Sequence, residues 1–239
     1  MAFLDLSWKT YRPAEGFYAS KVEVHRPLPV RTFLPFGYEP RYAYPLVVFF
    51  HGEGSNEKQI LRLAPRLSRR NFISIGLRGP VPLGENVKEK RGYSWGGPAH
   101  LELIEEYLVQ AVKQTRLKYH VHSERIYLAG FAEGATMAYR MALASPDKVA
   151  GVVSLNGCMP RHSRPLLRMP EVRDLRAWIG HGIANSVVPL SLAREDHRLL
   201  WSAGLDAEMR TYPTTHRLHA DMLRDLNRWI VGHCSDQAA

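Results

Sequence analysis

Cysteine is almost missing from this chain: Cys158 and Cys234 are the only two among 239 residues, far apart and outside any C-x-x-C spacing. A disulfide framework or a thiolate metal site therefore has no support. No run comes near the roughly 20 apolar residues that a membrane span needs. The first nine residues, Met1 to Lys9, lack the basic-then-apolar order of a secretion signal, so a cytoplasmic protein is the default expectation. No glycine-rich phosphate loop is present, and no nucleotide cofactor is expected. His120-x-His122 and His216-x-x-His219 lack a third ligand at an informative spacing; both read as surface turns, and no metal is expected.

Positive charge, by contrast, is in excess: the formal net charge is +9 and the pI about 9.7. No nucleic-acid motif accompanies it, so no nucleic-acid partner is expected. Arginines gather between Arg62 and Arg70 and again at Arg161, Arg164, Arg168, Arg173 and Arg176. They read either as a solvated surface or as a basic rim that draws an anionic ligand or partner.

A hydrophobic fraction of 45% with 23% charged residues is that of a globular protein. The length suits one α/β domain over 1–239, with N-terminal strands in 1–44 and the core in 45–233. Alternation predicts half-buried strands at 22–25 and 30–35, while the unbroken apolar run 45–51 predicts a central strand covered on both faces. Asn56 offers an N-cap to a helix over 57–67, despite Pro65. Further strands are expected at 72–77, 125–129, 149–155, 174–180 and 205–212, with helices at 101–119, 133–143, 190–202 and 220–231. A polar loop spans 79–97 and a basic, Pro-rich insert spans 160–170. This order indicates βαβ units in one mostly parallel sheet with helices on both faces, where ligands bind beyond the carboxyl ends of the strands.

One sequence stands out at such a strand end: Gly130-Phe131-Ala132-Glu133-Gly134. Its setting is that of G-x-S-x-G, in which a strained turn lifts a serine above the sheet. Here the central residue is alanine, which has no oxygen with which to attack a carbonyl. His51-Gly52-Glu53-Gly54-Ser55 follows the buried strand and is either an ordinary turn or part of an oxyanion hole, with the Glu53 and Glu133 amides as donors. The 181–189 loop carries Asn185 where a triad would have its acid; it is a turn residue or the partner of a histidine. His216 follows the last strand, with His219 in reserve, and completes the order nucleophile, acid, histidine.

Together with Phe50-His-Gly-Glu-Gly, the Ser94-Trp95 loop, Val153-Ser-Leu-Asn-Gly and Tyr212-Pro-Thr-Thr-His, these strings resemble the phospholipase/carboxylesterase family of α/β-hydrolases. The resemblance covers about 45–229. It implies an α/β-hydrolase fold and an esterase or thioesterase site with Ala132, Asn185 and His216 at the serine, aspartate and histidine positions. Gly52, Glu53, Glu133 and Trp95 would form the oxyanion and ester-binding surroundings. A small acyl ester or an anionic ligand is the implied ligand, and a homodimer is suggested. Cys158, Ser154, Thr136 and Ser94 are substitute nucleophiles to be weighed. Three readings stay open: a pseudo-hydrolase that keeps its pocket, an esterase whose serine was changed to alanine by design, and an enzyme using His216 with water or the Glu133 side chain.

Overall fold

Strand β3 (Tyr44–Phe50) is buried along its whole length, and its alternate side chains feed two separate cores. Leu46, Val48 and Phe50 point into one, Val47 and Phe49 into the other. A strand with that pattern needs helices on both faces. The computed structural model describes residues 9–84, 92–160, 172 and 174–236. Most of the 160–170 insert lies outside these, including Arg161, Arg164 and Arg168; so does Arg173.

The other strands are β1 (Gly16–Glu23), β2 (Pro27–Leu34), β4 (Ile73–Leu77), β5 (Val81–Pro82), β6 (Tyr93–Ser94), β7 (Val121–Phe131), β8 (Gly151–Leu155), β9 (Arg176–Gly182) and β10 (Asp206–Tyr212). Eight of them form one sheet in the order β1-β2-β4-β3-β7-β8-β9-β10. From β4 to β10 all neighbours are parallel, whereas the β1–β2 hairpin and its junction with β4 are antiparallel. Helices α3 (Leu101–Lys118), α4 (Glu133–Ala144) and α5 (Leu190–Ser202) pack on one face. On the other lie α1 (Glu57–Ile60), α2 (Ala64–Leu67) and α6 (Ala220–Asp236). No helix among the described residues is long and apolar enough to cross a membrane.

Three local expectations are corrected. The first strand occupies 16–23 rather than 22–25, and 24–26 belong to the hairpin turn. Its outer face carries exposed Phe17, Ala19 and Lys21, so no polar-apolar alternation marked it. The helix expected over 57–67 is split by a 3-10 turn, Leu61–Leu63. Asn56 does cap its start, accepting from the Lys58 and Gln59 amides at 3.0 Å each, but Pro65 has no N–H to return to Leu61. Finally, the 79–97 loop is pinned near both ends by the β5–β6 ladder.

Most consequential for the site is the crowding where β7 turns into α4. A Cβ on Gly130 would lie 2.1 Å from the Gly134 carbonyl oxygen, and one on Gly134 would lie 2.2 Å from that of Phe50. Only hydrogen fits at either place. We expect Gly134→Ala to destabilise the protein by about 3 kcal/mol or more, since the obstruction is backbone at the end of the central strand. Calorimetry would show this as a fall in Tm of roughly 6–12 °C; a loss under one degree would mean the turn is looser than its packing indicates.

Candidate active site

The 130–134 turn has the geometry of an elbow, with alanine at its centre. Ala132 adopts φ 53°, ψ −117°, a conformation that side-chain-bearing residues seldom take and that stores about 1–3 kcal/mol. It is held there by a hydrogen bond from its N–H to the Leu155 carbonyl (3.1 Å) and by its own carbonyl, which accepts from the Ala135 amide (3.0 Å). Gly52 lies opposite, where an added Cβ would sit 3.4 Å from that of Ala132. The His51-Gly52-Glu53 turn and the elbow thus face each other. Among the described residues the amides of Glu53 and Glu133 donate to no acceptor, which leaves both available to a ligand oxygen.

A strut behind these two turns ties them together. Glu133 accepts through Oε1 from the Ser94 hydroxyl (2.6 Å) and the Trp95 amide (3.1 Å). Trp95 in turn donates through its indole N–H to the His51 carbonyl (2.8 Å). Its ring is 0% exposed and packs 5.0 Å from both Phe50 and His51. Trp95 was expected among the binding residues; full burial makes it a support instead. Glu133 is likewise occupied, and burial pushes its carboxyl upward against the pull of the two donors. His51 is neutral: burial lowers its pKa, Nδ1 donates to the Gly52 carbonyl (2.7 Å) and Nε2 accepts from the Gly79 amide (2.9 Å).

On the other side of the elbow, Asn185 and His216 meet directly, Oδ1 to Nδ1 at 3.0 Å. Asn185 is 6% exposed, and the same Oδ1 accepts from the Val187 and Val188 amides at 3.0 and 3.1 Å. These two donors fix which end of the amide is oxygen, so His216 Nδ1 must carry the hydrogen and Nε2 keeps its lone pair. That is the tautomer of a general base. Burial lowers the His216 pKa, and His181 nearby lowers it further. The Phe131 ring, one residue before Ala132, lies 5.0 Å from the imidazole, so elbow and histidine loop are neighbours. His219 is elsewhere, stacked on Tyr212 and accepting from the Asp221 amide.

Asn156 carries a role that its sequence string did not reveal. Fully buried and at φ 54°, it accepts from the Gly182 amide (2.8 Å) and donates to the Arg217 carbonyl (2.9 Å). One side chain thereby aligns the Asn185 loop with the His216 loop. The only hint was an Asn-Gly pair after an apolar strand, since asparagine tolerates the left-handed region. The Asn185 Nδ2 group also faces Asn156 Oδ1, at 3.5 Å.

The substitute nucleophiles are differently placed. Ser94 donates to Glu133, and Thr136 donates to the Cys158 carbonyl at 2.8 Å. Ser154 is buried within β8. Cys158 is half-buried and follows Gly157, which abuts the Ala132 carbonyl. No group of three or more His, Cys, Asp or Glu side chains suited to a metal occurs among the described residues.

The family described as Phospholipase/Carboxylesterase matches residues 39–234. The chain is 30% identical over 116 residues to acyl-protein thioesterase 1 of Mycosarcoma maydis, covering 46% of this chain and 48% of that protein. It is 28% identical over 139 residues to lysophospholipase-like protein 1 of Mus musculus, covering 56% and 58%. The chain thus spans about half the length of these curated relatives. A carboxylesterase structure from Mesorhizobium loti superposes with a TM-score of 0.70 at 18% identity, over 86% of this chain and 95% of that one; at that identity the likeness is one of fold. Because the match runs through every element that shapes the elbow and the two loops beside it, this chain belongs to the phospholipase/carboxylesterase family of α/β-hydrolases.

Proposed function

We propose that this chain is a pseudo-hydrolase: it retains an acyl-ester site and binds an ester or thioester there without an elbow nucleophile to attack it. The observation that carries this reading is Ala132, a methyl group in the strained conformation that elsewhere presents a serine. The names of its relatives, acyl-protein thioesterase and lysophospholipase-like protein, point to acyl esters and thioesters as the ligand class.

Asn185 supports the same reading. Its oxygen takes three donors, and its NH₂ group faces Asn156 Oδ1. That NH₂ group also lies 3.3 Å from His181 Nε2. A laboratory change made to trap substrate needs only position 132, so an asparagine at 185 as well favours natural loss. The second reading, an esterase disarmed by a serine-to-alanine change, requires a triad that works with asparagine. The correct His216 tautomer is the observation in its favour.

We expect the unmodified chain to leave p-nitrophenyl butyrate unhydrolysed while an unreactive acyl analogue raises its Tm saturably. Turnover by the unmodified chain would contradict the proposal, and its loss on alkylation would assign it to Cys158.

Ala132→Ser discriminates between the two readings. Replacing the orienting aspartate of a serine-protease triad by asparagine costs about 10⁴ in turnover, in part through the wrong tautomer. Here the tautomer is already right, so only the missing negative charge counts. We expect slow turnover from Ala132→Ser and a gain well below about 10⁴-fold on adding Asn185→Asp. Full esterase activity from the single variant, with no gain from the second change, would select the disarmed esterase.

The pH profile of Ala132→Ser follows from the state of His216. Burial and the nearby His181 hold its pKa below the ordinary 6.5, so the neutral imidazole predominates at that pH. We expect the acidic limb of kcat/KM to have its midpoint below pH 6.5. Asn185→Asp would move this acidic limb upward, because a carboxylate favours the imidazolium; an unshifted limb would show that the two side chains are not coupled.

A further inference from the structure

At the top of the sheet, beside α1, the β1–β2 hairpin leaves one face uncovered. A depression of about 470 Å³ lies there, and its lining includes Lys21, Pro29, Arg31, Glu57, Lys58 and Arg78. Four cationic side chains thus come together from four elements or their ends: Lys21 from β1, Arg31 from β2, Lys58 from α1, and Arg78 just after β4. Cross-strand register explains the first two. Lys21 pairs with Pro29 and Ala19 with Arg31, so all four point to the same side.

The charges do not cancel. Glu57, 3% exposed, holds Arg78 by two bonds of 2.6 Å each. No ion pair holds Lys21, Arg31 or Lys58 among the described residues. Among the described residues, folding has therefore gathered three like charges around one concavity whose lining carboxylate, Glu57, is engaged by Arg78. Such an arrangement is repulsive when empty and favourable when a multivalent anion fills it.

We propose that this depression is a binding site for a small phosphate ester or diphosphate. A phosphoryl group supplies the oxygens and the two or more negative charges that Arg31 and the two lysines can share. The volume lies within the range of small-ligand pockets and leaves room for an organic part against Pro27 and Pro29. Three to four strand positions separate β7 from β2 and β1, so Lys21 and Arg31 lie roughly 14–19 Å from the elbow. That is too far for a phosphate here to occupy the oxyanion turn. The site is independent of the pseudo-hydrolase reading.

A physical path nevertheless connects the two places. Arg78 reaches Tyr93 with its NH1 group (3.3 Å) and lies 4.6 Å over that ring. The next residue, Ser94, donates to Glu133 beside the elbow. A ligand that draws on Arg78 thus acts on the strut behind Ala132.

Titration calorimetry with inorganic pyrophosphate at low salt tests the site, together with sedimentation of vesicles of phosphatidylcholine containing phosphatidic acid. We expect saturable pyrophosphate binding, weakened about tenfold or more in Lys21→Gln/Arg31→Gln. The exposed pair on α3, Lys113→Gln/Arg116→Gln, removes the same charge elsewhere and should leave the affinity within twofold. Vesicle binding without pyrophosphate binding, lost in the hairpin variant alone, would support the site and identify a lipid headgroup as the source of the phosphoryl group. Failure of both probes would overturn the proposal, as would equal weakening in both double variants.

Discussion

Everything at the candidate site depends on the contact between Gly134 and the end of β3. The first turn of α4 must press its backbone against the Phe50 and His51 carbonyls, because α4 packs on β3, β7 and β8 at once. With α4 pulled that close, the chain leaving β7 has room for only one sharp turn. Ala132 is forced to φ 53°, and packing of the buried α4 face, from Ala135 to Leu143, offsets the strain. The elbow is thus a result of core packing. The turn at Gly52 meets it only because β3 and β7 are adjacent and parallel.

From that contact outward, polar groups make the arrangement rigid. Glu133 and Trp95 brace the elbow against His51 on one side, and Asn156 joins the two loops on the other. Both braces use buried groups, where an unmet hydrogen bond costs about 1–3 kcal/mol, so each is strongly specified. His51 and His216 are also held neutral by burial. The unfolded chain takes up their protons first as pH falls below 6.5, and stability declines with it. The site therefore favours neutral or mildly alkaline conditions whether or not a reaction takes place there.

Steric requirements were the most legible in the sequence. The glycines at 130 and 134, the apolar run of β3 and the chain order of elbow, Asn185 and His216 each follow from what fits where, and each was readable before any coordinates. Requirements met by distant partners were not. Trp95 and His51 are 44 residues apart, and nothing in Ser94-Trp95 announces a support rather than a binding residue. Asn156 had no role assigned within its string, and its two long-range bonds gave it one. Most of the edge strand β1 escaped detection because its outer face presents Phe17 and Ala19 to solvent, blurring the alternation on which strand recognition rests. The hairpin depression was invisible for a related reason: Lys21 and Arg31 are ordinary surface residues until register puts them on one face beside Lys58.

The nucleophile contributes little to the scaffold that presents it. Neither the Gly134 contact, nor the hydrogen bond from the Ala132 amide to Leu155, nor the strut through Trp95 uses a side chain at position 132 beyond its Cβ. Ala132 is only partly buried, so a hydroxyl at that position is not a part of the closed core. Loss of the nucleophile is then close to neutral for folding. A chain can shed the chemistry and keep the whole site, including two free amides and a correctly protonated histidine. The strain at Ala132 is accordingly a record of how α4 packs, and it would persist in active and inactive members alike. What would separate the two is the side chain at 132 itself, because the backbone that presents it is fixed by packing.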